Sequence, residues 1–509
     1  MLSMPSSTVP PSGAPSRRLS ASGLSTLPAT VARPGYDREA LDIGIVHLGV
    51  GAFQRAHQAA YTDALLEQQF GPWGIAGVSL RSPDTRDALE PQDGLYTVAV
   101  RDAEGERLRV IGCLLDLLVA HEDPEAVLER MCRPSVRIVT LTVTEKGYCH
   151  DPATGALNEA HPDIRHDLDN PDKPRTAIGF LAEALSRRRA AGLAPFTVLS
   201  CDNLPSNGDT VARILRRFAE LRDPAFGAWV AETVACPNSM VDRIVPATTE
   251  ADRARVSQAL GMQDSWPVVT EPFTQWVVED RFPAGRPAWE TVGVELVADV
   301  HPYETMKLRL LNGSHSTIAY LGYLAGYETV SDTMADPAFA TLVRNLMDRE
   351  TGPTLHMPPK DQGGADMEQY KDALITRFRN PALRHRTWQI AMDGTQKLPQ
   401  RLLNPIRDRL AAGEPIDRLA LAVAAWMRYV AGTDEKGQPI DVRDPLASRL
   451  AEIAAATAGN PDRLAEALFG LTAVFGEDLP RDPRFTAPVT AALKRLFAEG
   501  ARAVVAAAA

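Results

Sequence analysis

Cysteine is scarce in this chain. Five residues in 509, Cys113, Cys132, Cys149, Cys201 and Cys236, are widely spaced and never form a C-x-x-C pair. That excludes a disulfide framework and a zinc knuckle, and it fits a reducing, cytoplasmic compartment. Also missing is any run near the roughly 18 apolar residues that a membrane-spanning helix needs. Basic charge is in deficit: 54 Lys and Arg against 65 Asp and Glu leave a net charge of −11. Nucleic acid and anionic membranes are thereby disfavoured as partners, although basic residues that converge locally still permit a carboxylated or phosphorylated small molecule. The first 34 residues are rich in Ser, Pro and Ala and lack the apolar core of a secretory signal. Arg17 and Arg18 faintly suggest a transit peptide, but residues 1–34 read better as a disordered extension. No internal repeat is visible.

What is present begins with IVHLGVGAFQRAH, Ile45 to His57. Ile45, Val46 and Leu48 form a short apolar strand, Gly49 and Gly51 a turn without side chains, and AFQRAHQAAYTDALL a helix. The unpaired first amides of a helix in that position suit a pyrophosphate. Alone the signal is weak, because glycine pairs occur in many tight turns and Gln54 replaces the third glycine of the usual fingerprint. Trp73–Leu80, Val136–Val143 and Phe196–Ser200 read as further buried strands, and the segments flanking Asp102–Gly105 as a hairpin. Strands alternating with amphipathic helices predict an α/β fold with a largely parallel sheet. After about Asp299 the pattern turns helical. The expected organisation is therefore a dinucleotide-binding domain over 35–298 and a mainly α-helical substrate domain over 299–509, with the closing alanine run a frayed helix end.

Near the start of the second half, MKLRLLNGSH sets Lys307, Asn312 and His315 at spacings of five and three. At about 100° per residue they span a 140° arc of an α-helix, with Asn312 and His315 one turn apart. Lysine on a helix usually faces solvent and Asn-Gly often marks a helix end, so spacing alone also fits a structural role. Their chemistry is nevertheless compatible with oxidising an alcohol. A lysine moved by burial from about 10.4 to 7–8 serves as a base, an asparagine amide donates to a developing alkoxide, and a histidine orients the hydroxyl. Asn203 follows the Phe196–Ser200 strand, and Glu145 and Lys146 follow Val136–Val143. All three should lie at the carboxyl edge of the sheet, where open α/β folds bind ligands.

The motifs G-x-G-x-F-x-R-A-H, T-E-K-G-Y, S-C-D-N, M-V-D-R-I, E-P-F and K-x4-N-x2-H, in this order, resemble the mannitol dehydrogenase family of long-chain polyol dehydrogenases. The resemblance runs from about Ile45 to the C-terminus. It implies metal-independent, NAD-linked hydride transfer at a secondary carbinol by a Rossmann-type domain followed by a helical one. It further implies Lys307 as general base, Asn203 and Asn312 as the oxyanion site, His315 positioning the hydroxyl, Glu145 passing protons to solvent, and Asp242 lining the site. The expected cofactor contacts are Val46, Gly49, Val50, Gly51, Ala52, Phe53, Gln54, Arg55, Ala56 and His57, with Asp84 on the ribose. Arg81 and Ser82 stand where a 2′-phosphate is accepted in NADP enzymes, so NADP is the lesser expectation. Within the family, RNPALRHRTWQIAMDGTQKLPQRLL resembles the fructuronate reductase (mannonate oxidoreductase) branch, whose substrate carries a carboxylate. A carboxylate needs a local cation; Arg384, Arg386, Lys397 and Arg401 are available, with Arg384 and Lys397 the expected contacts. A mannitol–fructose enzyme is the main competitor, since Lys397 would also suit neutral polyols.

Three other readings compete. Tyr303 and Lys307 form the Y-x-x-x-K of short-chain dehydrogenases, but some 250 residues after Gly49, whereas that family has its tyrosine roughly 150 residues into the chain. A zinc-dependent medium-chain enzyme is disfavoured because none of the five cysteines sits in a ligand-spaced cluster. A cofactor-binding redox sensor has no need of a base. The expected partner is a small sugar acid or polyol, handled by a monomer or small homo-oligomer.

Overall fold

Short β-branched runs, apolar on both faces, build the centre of the first of two units, Met1–Val300, which precedes His301–Ala509. The structure is a computed structural model that describes residues 15, 17–151, 154–359 and 364–509. Its strands are β1 (Ile43–Leu48), β2 (Gly74–Ser79), β3 (Tyr96–Asp102), β4 (Gly105–Ile111), β5 (Leu114–Val119), β6 (Ile138–Leu141), β7 (Thr197–Ser200), β8 (Ser239–Asp242), β9 (Val268–Thr270), β10 (Gln275–Glu279) and β11 (Glu295–Val297). Five of them pair side by side in the order β5-β2-β1-β6-β7, every pair parallel. The chain runs outward from β1 through β2 to β5, then crosses to β6 and β7 on the other side. The order thus reverses between β1 and β6, and ligands of such sheets bind at the carboxyl ends of the strands beside that reversal. Helices cover the sheet as a Rossmann-type fold requires; Ala177–Ala190 and Asn207–Arg222 bury Phe180, Leu181, Val211 and Phe218 against Val139 and Val198. Two small sheets, β4-β3-β9 and β11-β10-β8, complete the unit.

The sequence reading assigns nothing to β5, because LLDLLV is built from leucine, as ready a helix former as a strand former. The extension also needs correcting. Residues 1–14 and 16 lie outside the described residues, but 17–34 are folded. Leu19, Leu27 and Val31 are buried with Leu95, Leu108 and Val110. Ala32 exchanges backbone hydrogen bonds with the β4 edge, donating to Leu108 (3.0 Å) and accepting from Val110 (2.8 Å). A Ser/Pro-rich composition hid a segment whose three apolar residues cover an otherwise open sheet edge.

In β1, His47 lies under the glycine turn with no exposed surface. Its ring nitrogens meet Thr140 Oγ1 at 2.7 Å, Thr142 Oγ1 at 2.9 Å and the Gly49 carbonyl at 3.2 Å. Burial depresses its pKa to about 3. A group with a depressed folded pKa stabilises fully above its unfolded value, here about 6.5, and loses that contribution as pH falls toward the folded value. At about 1.4 kcal/mol per pH unit, stability should drop on the order of 2 kcal/mol between pH 6.5 and 5 through this residue. Urea midpoints measured across that range should show the slope in wild type and a shallower one in His47→Gln; equal slopes would count against it.

The second unit is helical. The helix Asp417–Val430 is buried along nearly its whole length and packs on Gly313–Leu324 and Pro483–Glu499, with Tyr320, Trp426 and Tyr429 at its centre. Pro399–Leu403 and Met347–Thr351 are π-helical turns, as is Lys307–Asn312. The alanine run is corrected too: Ala501–Ala508 is a helix that buries Val504 and Val505, and Arg502 donates to the Ala325 carbonyl at 3.1 Å. Among the described residues no helix is long and apolar enough to cross a membrane.

Candidate active site

The carboxyl ends of β1, β2 and β6 open into a cleft of about 490 Å³, a volume typical of small-ligand sites. Gly49, Val50 and Gly51 form one wall, Arg81, Ser82 and Asp84 a second, and Thr142 to Thr144 with Lys146 and Gly147 a third. His161, Arg175, Thr176 and Trp266 also line it and had no signal in the sequence, because distant segments bring them in. Gly49 needs to be glycine: its φ is +97°, and a Cβ would lie 2.2 Å from the Thr142 carbonyl oxygen. Gly51 differs, since a Cβ there would meet only the Gly49 oxygen, at 3.7 Å. The turn is therefore a cradle that a side chain would fill, and basic Arg81, Lys146 and Arg175 outnumber acidic Asp84 and Asp163 around it. These features fit a dinucleotide pyrophosphate.

Part of the expected cofactor contact is corrected. Val46, Gln54, Ala56 and His57 have no exposed surface and Arg55 has 3%, so they offer nothing to a ligand. The helix begun at Ala52 breaks after Ala56, and a second helix runs Gln58–Gln68. Arg55 turns inward, over the Tyr96 ring and onto the Trp266 carbonyl. His57 stacks on Phe53 at 5.0 Å and contacts the Gln275 carbonyl oxygen through Nε2 at 2.8 Å. The R-A-H of that motif thus ties the turn to β10; Ala52 and Phe53 remain partly buried beside it.

Asp202, which the sequence reading passed over in favour of its neighbour, organises the loop after β6. Its carboxylate accepts from the amides of Val143 (2.9 Å) and Thr144 (3.0 Å) and from the Tyr148 hydroxyl (2.6 Å). Burial raises its pKa while these donors oppose the rise. Thr144 is held at φ 64°, an unusual conformation for a β-branched residue, so the T-E-K-G-Y loop is strained and braced by S-C-D-N. Asn203 and Glu145 both stand exposed at this edge. Asp242 ends β8 and is buried.

In the second unit, the π turn changes how Lys307 and Asn312 relate. An α-helix would fan them over a 140° arc, but an i→i+5 turn makes them neighbours on one face, as i and i+4 are in an α-helix. Gly313 then begins the helix that carries His315. A Cβ at Gly313 would lie 3.1 Å from the Arg401 carbonyl oxygen, because the π turn Pro399–Leu403 packs directly on the end of Lys307–Asn312. Arg401 donates to the Asn312 carbonyl at 3.5 Å and to Ser316 Oγ at 3.2 Å. His315 is 93% buried (7% exposed), and its Nε2 has no hydrogen-bond partner among the described residues. Burial and then the nearby His385, Arg377 and Arg401 push its pKa well down, so the ring is neutral. Lys397 donates to the Ile390 and Met392 carbonyls, and burial followed by Arg401 lowers it to about 8. Arg384, expected on the substrate, is exposed in a left-handed turn, and Arg386 is exposed beside Glu328.

Residues 43–291 match the description of the mannitol dehydrogenase Rossmann domain, and residues 299–497 that of the mannitol dehydrogenase C-terminal domain. The chain belongs to the mannitol dehydrogenase family. It is an NAD-dependent oxidoreductase of that family, so the Y-x-x-x-K of Tyr303 and Lys307 does not mark a short-chain dehydrogenase. An uncharacterised oxidoreductase of Escherichia coli strain K12 is 51% identical over 478 residues, covering 94% of this chain and 96% of the relative. The D-mannonate oxidoreductase of the same organism is 50% identical over 481 residues, covering 94% and 98%. Among solved structures, the Pseudomonas fluorescens mannitol 2-dehydrogenase in ternary complex with NAD and D-mannitol matches with a TM-score of 0.83 and 40% identity, covering 96% of this chain and 98% of that one.

Proposed function

We propose that this family member catalyses reversible NAD-linked hydride transfer at a secondary carbinol of a sugar acid, interconverting D-mannonate and D-fructuronate. The observation that carries the reading is the π turn that sets Lys307 and Asn312 on one face, next to the unpartnered His315 Nε2. In oxidation the Lys307 amine takes the hydroxyl proton, Asn312 and Asn203 donate to the oxygen as charge builds on it, and neutral His315 holds that oxygen in line. Glu145, exposed at the rim of its loop, relays the proton to solvent, and Asp242 lines the site. Gly49, Val50 and Gly51 hold the pyrophosphate and Asp84 a ribose hydroxyl. NAD, when bound there, supplies the hydride acceptor, and the residues named supply the proton chemistry without a metal. A relative named D-mannonate oxidoreductase at half identity supports the sugar acid, and Lys397 serves its polar end; a structural neighbour holding D-mannitol makes mannitol–fructose the second reading.

The test is NADH and NADPH formation with D-mannonate, D-mannitol, D-altronate and D-arabinitol, with and without a chelator. D-mannonate with NAD should give the highest kcat/KM, unchanged by the chelator. A preference for mannitol moves the assignment to the second reading; cofactor binding with no turnover across the panel would support a sensor.

A further inference from the structure

Arg401 and His385 have no part in the proton chemistry above, yet both lie, partly buried, beside His315. Among the described residues the Arg401 guanidinium bonds only an uncharged carbonyl and an uncharged hydroxyl, those of Asn312 and Ser316. Burial lowers its pKa to about 10. A guanidinium largely withdrawn from water with no anion beside it is costly, and an arriving anion would offset that cost. The His385 ring lies edge-on to His315, centroids 5.4 Å apart, and its Nδ1 is buried with no hydrogen-bond partner among the described residues. His385 is half-buried and follows the exposed turn residue Arg384. Lys397 is a second cation in the neighbourhood, close enough to depress His385. The two acids near Lys397 are otherwise engaged: Asp393 stands 4.0 Å from Lys397, and Asp444 accepts from the Thr395 amide and hydroxyl.

We infer that Arg401 and His385 form an anion pocket beside His315 and that this pocket receives the carboxylate of the substrate, making these two residues the determinants of sugar acid over polyol. The guanidinium supplies charge and a planar donor pair, and the free imidazole nitrogen supplies a third donor. An incoming carboxylate would give the guanidinium its anion and give the unpartnered His385 Nδ1 an acceptor. A neutral polyol end would leave the guanidinium uncompensated, and a site whose buried polar groups stay unpaired rejects such an analogue strongly.

The inference rests on the sugar-acid reading, and one experiment separates the two. Steady-state kinetics with D-mannonate and D-mannitol are measured for wild type, Arg401→Met and His385→Gln, the latter at a half-buried turn where folding tolerates the change. The ratio of kcat/KM for mannonate over mannitol should fall about tenfold or more in each variant, mainly through KM for mannonate. Wild type that turns over mannonate while both variants keep its ratio overturns the pocket and leaves the sugar-acid reading standing. Wild type that oxidises mannitol and ignores mannonate overturns both.

Discussion

Lys307→Ala should lose between about a hundredfold and ten thousandfold in kcat, the range a positioned general base contributes, while NADH still quenches or enhances protein fluorescence with an affinity near that of wild type. The dissociation follows from placement. Lys307 lies in a π turn of the second unit, whereas the glycine cradle is built wholly from the first. The pH dependence provides an independent check. If Lys307 is the base, the wild-type oxidation rate should climb with pH and level off once the base is free; in the variant that titration step should be lost, and any residual rate carried by solvent hydroxide should rise without a plateau. Small primary amines added to the variant should restore part of the rate if the cavity left by the side chain is open. A variant with near-normal turnover at saturating substrate would remove Lys307 from the proton step and with it the mechanism above.

How much of this was legible beforehand depends on where each signal resides. β1, β2, β6 and β7 could be read because their apolar runs are short, β-branched and bounded by breakers. Gly49 was legible for a related reason: only glycine satisfies a positive φ under a carbonyl 2.2 Å from any Cβ. The π turn at Lys307–Asn312 was not, since it is composed of good helix formers and differs from an α turn only in which carbonyl each amide reaches. Asp202 was hidden for the opposite reason. Its three donors come from a loop some 60 residues earlier, so nothing local distinguishes it from a loop-capping aspartate. Arg55 and His57 misled because a charged and an imidazole side chain next to a glycine turn look available for a ligand, whereas their partners, Trp266 and Gln275, lie more than 200 residues away. Arg401 stood among four interchangeable cations in the sequence; only its packing on Gly313 and Asn312 singles it out.

The two glycines of the cradle should fail in different ways, and the contrast locates the cofactor. Gly49→Ala forces a Cβ into the Thr142 backbone and a left-handed residue at φ 97°. Strain of about 1–2 kcal/mol and overpacking of about 1–3 kcal/mol together should cost the fold on the order of 3 kcal/mol, visible as a lower Tm and urea midpoint. Gly51→Ala meets nothing closer than 3.7 Å at φ −107°, where any residue is at ease. Losing glycine at this helix start should cost the fold no more than a few tenths to about 1 kcal/mol. Its methyl group, however, projects into the cleft where the phosphate oxygens must approach the backbone, so NAD affinity should fall about tenfold or more, and further still in Gly51→Val. Loss of stability at position 49 with loss of binding at position 51 is the signature of a phosphate cradle. A Gly51→Val protein that binds NADH as tightly as wild type would place the dinucleotide away from this turn, whatever the family resemblance implies.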